Sequence, residues 1–321
     1  MPGSEIDSLC AQSRQLGSSR LHVGALGVGT AALSTPYGAP GAERPAPGIS
    51  TAARTLEHAL ERGISLIDTA PAYGDAESVV GTVCRGSDCA IATKLAIPEH
   101  GWQTLSGAAI SDHIRRSVER SLAALQRERI DLLQIHNADS DLVARGHVPA
   151  ALDALRAQQL VVACGATVYG EENALAAIGC PVFDAVQIAY NALDRRPERT
   201  VVAAAGEHAT SLIVRSVLLH GVLTSAGRGL SGAFGPLGAG ADRFRVAIGA
   251  SWEELPGAAV AFALTRPGIS ATLLGPRDSD ELDVLLRDAE LFLDSARELR
   301  GDWDGGMTPQ LLDPSRWAEL D

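Results

Sequence analysis

Short apolar runs alternate along this chain with longer stretches whose apolar residues recur at every third or fourth position. The runs at 64–68, 89–93, 131–135, 160–166, 184–189, 211–215 and 270–274 are too short for helices and predict buried strands. Stretches 50–62, 75–84, 111–127, 148–158, 171–178, 197–207, 256–264 and 279–287 carry the helical period. In the first of these, Ala53, Leu56, Ala59 and Leu60 share a face behind a Ser50 or Thr51 cap. Leu21 to Leu33 precedes them as a strand or hairpin. Eight strands alternating with helices imply parallel pairing through crossover helices. Eight such units in roughly 260 residues have the size of a (β/α)8 TIM barrel. A doubly wound open sheet is the alternative, but it would usually open with a glycine-rich phosphate loop. Here Gly24, Gly27 and Gly29 follow the order GxxGxG, with Pro36 and Gly38 where a helix would have to begin.

Around this repeat, residues 1–20 read as a loose leader and residues 21–300 as one domain. Residues 35–48 form a Pro/Gly-rich loop, 225–241 (SAGRGLSGAFGPLGAGA) a mobile loop or lid, 289–300 an extra helix and 301–321 a tail.

In such barrels, active sites lie at the C-terminal ends of the strands. Asp68, Lys94 and His136 each end or follow a predicted strand on three successive units, and Tyr73 lies in the loop after the first. Singly, each has a plain structural explanation: a loop cap, a packing ring, a core histidine. Their joint placement favours chemistry. Lys94 is also the single lysine in a chain with 27 Lys and Arg together, so Arg has met every generic need for a cation. Lys is a compact charge whose proton affinity shifts on burial, and Arg does not replace it there. Asp68 would hold a buried Lys94 charged, and Lys94 would lower the pKa of the Tyr73 phenol by stabilising its phenolate. Such a phenol can exchange a proton with a carbonyl or alcohol oxygen, which a neutral His136 would orient. No Ser-His pairing and no metal-ligand spacing such as HExxH is present, so no metal is expected. Proton transfer coupled to hydride transfer from a nicotinamide fits best.

Composition narrows the partners. Hydrophobic residues make up 46% and charged residues 21%, enough apolar surface for a large core. The net charge of −12 argues against nucleic acid or an anionic membrane surface as a partner. No apolar stretch is long enough to span a bilayer, and the first twenty residues lack the order of a signal peptide. A cytoplasmic protein is expected. The five cysteines, Cys10, Cys84, Cys89, Cys164 and Cys180, show no CxxC and read as buried thiols. Oligomeric state is not legible.

Several stretches resemble the aldo-keto reductase family. They are Leu26-Gly-Val-Gly-Thr30, Gly63-Ile-Ser-Leu-Ile-Asp68-Thr-Ala-Pro-Ala-Tyr73-Gly74, Ile91-Ala-Thr-Lys94, and Ser117-Val-Glu-Arg-Ser-Leu-Ala-Ala-Leu125 leading to Ile130-Asp-Leu-Leu-Gln-Ile-His136. The resemblance runs from about residue 21 to about 290 and implies Tyr73 as proton donor and acceptor, with Lys94, Asp68 and His136 in support. It implies a nicotinamide cofactor lying extended across the barrel mouth. Gln187 aligns with the glutamine that holds the carboxamide. Thr167-Val168 replaces the family's Ser-Asn pair, and Arg215 before Ser216 replaces the aromatic shelf under the nicotinamide. Leu218 and Gly221 match the region near the pyrophosphate, and Gly275, Arg277, Ser279 and Glu281 the adenosine-phosphate loop. Arg277 favours NADP(H); Glu281, able to accept from a ribose hydroxyl, favours NAD(H). NADP(H) is the expectation.

The function expected is NAD(P)H-dependent reduction of an aldehyde or ketone. The alternatives are a sugar or alcohol dehydrogenase running in reverse, and a cofactor-binding regulatory subunit with little turnover. A Schiff-base enzyme using Lys94 is a third reading, weakened by the adjacent Asp68. Loops 35–48, 96–110, 137–147 and 216–255 are expected to build the substrate pocket, with Trp102 as a wall. The 4% aromatic content points to a polar or sugar-like carbonyl.

Overall fold

The computed structural model describes residues 4–39, 41–303 and 305–320. Helix α1 (Glu5–Ala11) and strands β1 (Arg14–Gln15) and β2 (His22–Val23) come first. The repeat then runs β3 (Leu26–Gly29), α2 (Ala31–Ser34), α3 (Ile49–Glu61), β4 (Leu66–Asp68), α4 (Ala76–Val83), β5 (Ala90–Lys94), α5 (Gly107–Leu125), β6 (Ile130–Ile135), α6 (Ser140–Ala144) and α7 (His147–Ala157). It continues with β7 (Val161–Thr167), α8 (Glu171–Ile178), β8 (Ala185–Ala189), α9 (Val201–Glu207), β9 (Ser211–Arg215), α10 (Gly235–Ile248), α11 (Leu255–Leu264), β10 (Ile269–Leu274) and α12 (Ser279–Glu298). Strands β3 to β10 close into a barrel in which each pairs in parallel with its neighbour and β10 returns to β3, as the alternation predicts.

Successive strand residues point to opposite sides of the wall. Leu66, Ala90, Ala92, Leu132, Ala163, Ala185, Ile213, Ala271 and Leu273 form one buried cluster, with Leu16, Leu21 and Val23 packed into it. These last three come from the segment around the β1–β2 hairpin. Residues 1–20 therefore hold no simple loose leader: Leu16 is fully buried, Gly17 N donates to Ser211 Oγ at 2.9 Å, and Arg14 Nη1 donates to the carbonyls of Ile269 and Ser270. The hairpin plugs the barrel end opposite the strand C-termini. Residues 1–3 of the expected leader lie outside the described residues.

Three further expectations are corrected. The glycine-rich 225–241 segment is half helix: two 3-10 turns, Ser225–Gly229 and Gly232–Phe234, lead into α10. Three of its glycines, Gly227, Gly238 and Gly240, serve close packing. A Cβ on Gly240 would lie 2.7 Å from Met307 Cε, and one on Gly238 would lie 2.6 Å from the carbonyl of Gly227. The helices expected at 279–287 and 289–300 are one, α12, because Asp288 turns inward and is buried rather than breaking the helix. The tail folds back, burying Trp303, Leu311, Leu312 and Trp317.

Helices α11 and α12 lie in backbone contact, which fixes where the α12 N-terminus meets the mouth. A Cβ on Gly257 would lie 2.4 Å from Asp288 Cβ and 2.7 Å from Ala289 N. Overpacking at such a site costs about 1–3 kcal/mol. Gly257→Ala is expected to lower the urea midpoint accordingly, and an unchanged midpoint would show that the helices part freely.

Candidate active site

The inward positions nearest the strand C-termini carry polar side chains: Asp68 on β4, Lys94 on β5, Gln134 on β6, Thr167 on β7, Gln187 on β8 and Arg215 on β9. All but Arg215 are buried, and every one but Gln134 lines a chamber of about 390 Å³ at the mouth, with Tyr73, His136, Tyr37 and Tyr169. Lys94 Nζ donates to Asp68 Oδ1 at 2.6 Å and to the carbonyl of Thr69 at 2.9 Å, leaving one N–H. Asp68 Oδ2 accepts from Gln187 Nε2 at 2.9 Å and Gln134 Nε2 at 3.1 Å. A buried carboxylate thus has a cation and two amides, which offset its desolvation. Gln134, within an apolar run, is a partner the sequence did not point to. Its partner on β7 is Gly165.

Tyr73 stands above this pair, its ring centroid 5.3 Å from Lys94 Nζ and 6.1 Å from the His136 ring, edge to face. The four candidate catalytic residues therefore share one chamber. Their electrostatics differ from expectation in one respect. The phenol of Tyr73 is pushed up from its ordinary value, first by burial and then by Asp68. Lys94, engaged with Asp68, does not pull it down. Burial is also the main force lowering the proton affinity of Lys94, and Asp68 opposes it. His136 is pushed down to about 4 by burial and by Lys94, so its imidazole is neutral at neutral pH. The raised phenol stays protonated there, which suits a proton donor.

His220 is also pushed down to about 4, by burial and then by Arg215. An unfolded histidine titrates near 6.5. As pH falls from there to 4, the unfolded chain binds protons that the folded one refuses, so folding stability falls through that window. Each ring contributes a loss on the order of 3 kcal/mol. The urea midpoint is expected to fall between pH 6.5 and 4.5 in the parent, and to fall less in His136→Asn/His220→Asn. Equal slopes would exclude these rings as the source.

A second cavity of about 330 Å³ adjoins the chamber, and the two share Ala32, Tyr37, Ser216, His220, Leu274 and Gly275 among their walls. Tyr37 and His220 stack at 4.2 Å where the cavities meet. The groove continues past Leu218 and Gly221 to Gly275, Arg277 and Glu281 at the start of α12. Asp278 caps that helix, accepting from Glu281 N at 2.8 Å, while Glu281 Oε2 accepts from Arg277 N at 2.7 Å, a reciprocal capping pair. Arg277 Nη2 donates to the carbonyl of Pro45, but its Nη1 is buried without a partner among the described residues. A long groove with the Tyr73 chamber at one end and an unsatisfied guanidinium nitrogen beside a helix N-terminus at the other fits a dinucleotide. The residues present thus suit a nicotinamide cofactor.

The remaining candidates are placed as follows. Thr167 Oγ1 accepts from Asn137 N at 2.8 Å. The Gln187 amide nitrogen donates within the polar tier, to Asp68 and to Gln134 Oε1 at 3.2 Å. Ser279 begins α12 and is not among the groove residues. Trp102 is not a wall of the chamber. It is buried in a 3-10 turn against His113, at 5.4 Å between ring centroids, and lines a separate cavity with Leu105, Ile110 and Leu142. Tyr37, Tyr169 and Asn137 supply the walls instead. Among the described residues, no group of three or more His, Cys, Asp or Glu side chains could hold a metal, no helix is long and apolar enough to cross a membrane, and all five cysteines are buried and unpaired.

A sequence model described as the Aldo/keto reductase family matches residues 25–297. Aldo-keto reductase YhdN of Bacillus subtilis (strain 168) is 30% identical over 180 residues, which cover 54% of this chain and 54% of that protein. The match thus spans about half the length of that relative. A solved Pseudomonas aeruginosa structure named as an aldo-keto reductase has a TM-score of 0.66 at 29% identity, covering 89% of this chain and 96% of that one. The holo form of an aldo-keto reductase from Bacillus halodurans has a TM-score of 0.72 at 24% identity, covering 91% of this chain and 97% of that one, a likeness that shows the fold.

Proposed function

The chain belongs to the aldo/keto reductase family, and on that footing we propose that it is an NADP(H)-linked reductase of an aldehyde or ketone in which Tyr73 delivers the proton. The observation that carries this reading is the buried Lys94–Asp68 pair beneath a protonated phenol, opposite a neutral His136, at the end of a dinucleotide-sized groove. The cofactor, when bound, supplies the hydride. Gln187 and Thr167 would contact its nicotinamide end. Ser216, Leu218 and Gly221 would follow its middle, and Gly275, Arg277 and Glu281 its adenosine end. The unpartnered Nη1 of Arg277 favours the extra phosphate of NADP(H).

In this reading His136 holds the carbonyl oxygen within reach of Tyr73, and the phenol gives up its proton as negative charge grows on that oxygen. The nearby Lys94 ammonium, with one N–H uncommitted, stabilises the phenolate left behind, and Asp68 holds Lys94 charged. The raised resting value of Tyr73 favours reduction over alcohol oxidation, which would need the phenolate first. The 2.6 Å contact with Asp68 leaves Lys94 committed rather than free as an amine nucleophile.

The test is fluorescence titration with NADPH and NADH, followed by loss of reduced-cofactor absorbance across a carbonyl panel. Tighter binding of NADPH and turnover of at least one carbonyl are expected. Cofactor binding without oxidation by any member of the panel would favour the regulatory-subunit reading instead.

A further inference from the structure

Three charged side chains line the mouth chamber: Asp68, Lys94 and Arg215. The first two neutralise each other, and Asp68 already accepts from three donors. Arg215 makes no ion pair with the described residues. Its guanidinium carbon lies over the Tyr169 ring, 4.2 Å from the centroid. Nη1 donates to Ser216 Oγ at 3.3 Å and Nη2 to the carbonyl of Val168 at 3.2 Å, both long bonds. A guanidinium has five N–H donors, so three are uncommitted among the described residues. The backbone beneath it is pinned. The Arg215 carbonyl accepts from Tyr190 N at 3.1 Å, and the Ser216 carbonyl accepts from Asn191 Nδ2 at 3.2 Å.

A half-buried cation lacking a counter-ion is costly unless an anion joins it. The chain as a whole carries −12, yet this chamber has one positive charge in excess. Planar carboxylates match the guanidinium fork in a bidentate pair. The charge acts on the chamber's other groups as well, since Arg215 helps to hold both His136 and His220 below their ordinary values.

We propose that Arg215 is the specificity-determining residue of the mouth and binds a carboxylate carried by the substrate, so that the compound reduced is an aldehyde or ketone acid. This inference rests on the reductase reading above. The same guanidinium chemistry could serve the phosphates of the cofactor, and the experiment separates the two sources.

The kcat/KM values for 4-oxobutanoate and for butanal are measured in the parent, Arg215→Gln and Arg215→Lys, with the Kd of NADPH measured for each protein. The parent is expected to favour the charged aldehyde by about 30-fold, mainly through KM. The ratio should fall to about threefold or less in Arg215→Gln and recover in part in Arg215→Lys. Absence of a preference in the parent overturns the proposal. So does a Kd for NADPH that rises in Arg215→Gln by the same factor as KM for 4-oxobutanoate, because the anion would then be the cofactor's. Succinate, which cannot be reduced, supplies an arm without turnover. It should raise the Tm of the NADPH-loaded parent and not that of NADPH-loaded Arg215→Gln. If succinate does so while neither aldehyde is consumed, the reductase reading falls and the anion site stands. If aldehydes are consumed without regard to charge, the anion site falls alone.

Discussion

Tyr73→Phe is expected to lose about 10²- to 10⁴-fold in kcat for carbonyl reduction, the range that a positioned acid supplies, while its Kd for NADPH changes little. The substitution is a clean probe because of what the phenol does not do. The Tyr73 hydroxyl makes no hydrogen bond with the described residues, so its removal strands no structural partner. The ring remains, and with it the edge-to-face contact with His136 at 6.1 Å and the position over Lys94 at 5.3 Å. The stability change should therefore stay within about 0.5 kcal/mol, as at sites without a special contact. Loss of turnover with intact folding and cofactor binding would isolate proton transfer. A variant that stayed within a few-fold of the parent would remove Tyr73 from the chemistry. The proton would then have to come from His136 or from solvent, and the raised phenol of Tyr73 would be only a consequence of burial beside Asp68.

How much of this could be read in the sequence follows from how local each feature is. The barrel strands are legible because each is a short apolar run bounded by polar residues, a signal contained in about six residues. Asp68, Lys94 and His136 are legible because they break those runs at the end where barrels place their chemistry. Gln134 is hidden because Leu132-Leu-Gln-Ile135 reads as one apolar run. Only its register opposite Lys94 and Gly165 turns it toward Asp68. The direction of the Tyr73 shift is hidden for a similar reason: it depends on how completely Asp68 engages Lys94, a matter of a 2.6 Å contact. Tyr37, Tyr169 and the misplaced Trp102 belong to loops, whose path no periodicity records. The hairpin strands β1 and β2 are two residues each, below any pattern window. In 225–241, glycine has two causes with one appearance. Residues that permit motion and residues that permit close approach are the same letter, and only the neighbours at Gly238 and Gly240 distinguish them.

The other large effect lies beneath Tyr73. Lys94 and Asp68 are 1% and 6% exposed as side chains, so each desolvated charge depends on the other. Removing one partner of a buried pair typically costs about 3–5 kcal/mol, whereas replacing both with apolar groups can be nearly neutral. The two single losses should not be equal. Lys94→Met leaves Asp68 with the amides of Gln134 and Gln187, two donors that still favour a carboxylate. Asp68→Leu leaves Lys94 with only the carbonyl of Thr69, and it strands the Gln134 and Gln187 amides that pointed at the carboxylate. Asp68→Leu is therefore expected to lower the unfolding free energy more than Lys94→Met, and Asp68→Leu/Lys94→Met to be more stable than either single variant. Carbonyl reduction should be lost in all three, since two lack the Lys94 ammonium and the third lacks the carboxylate that keeps it charged. Urea unfolding of the four proteins closes the cycle. If the double variant lost the sum of the two single losses, the pair would carry no coupling, and the buried ammonium could not be the group that sustains the phenolate of Tyr73.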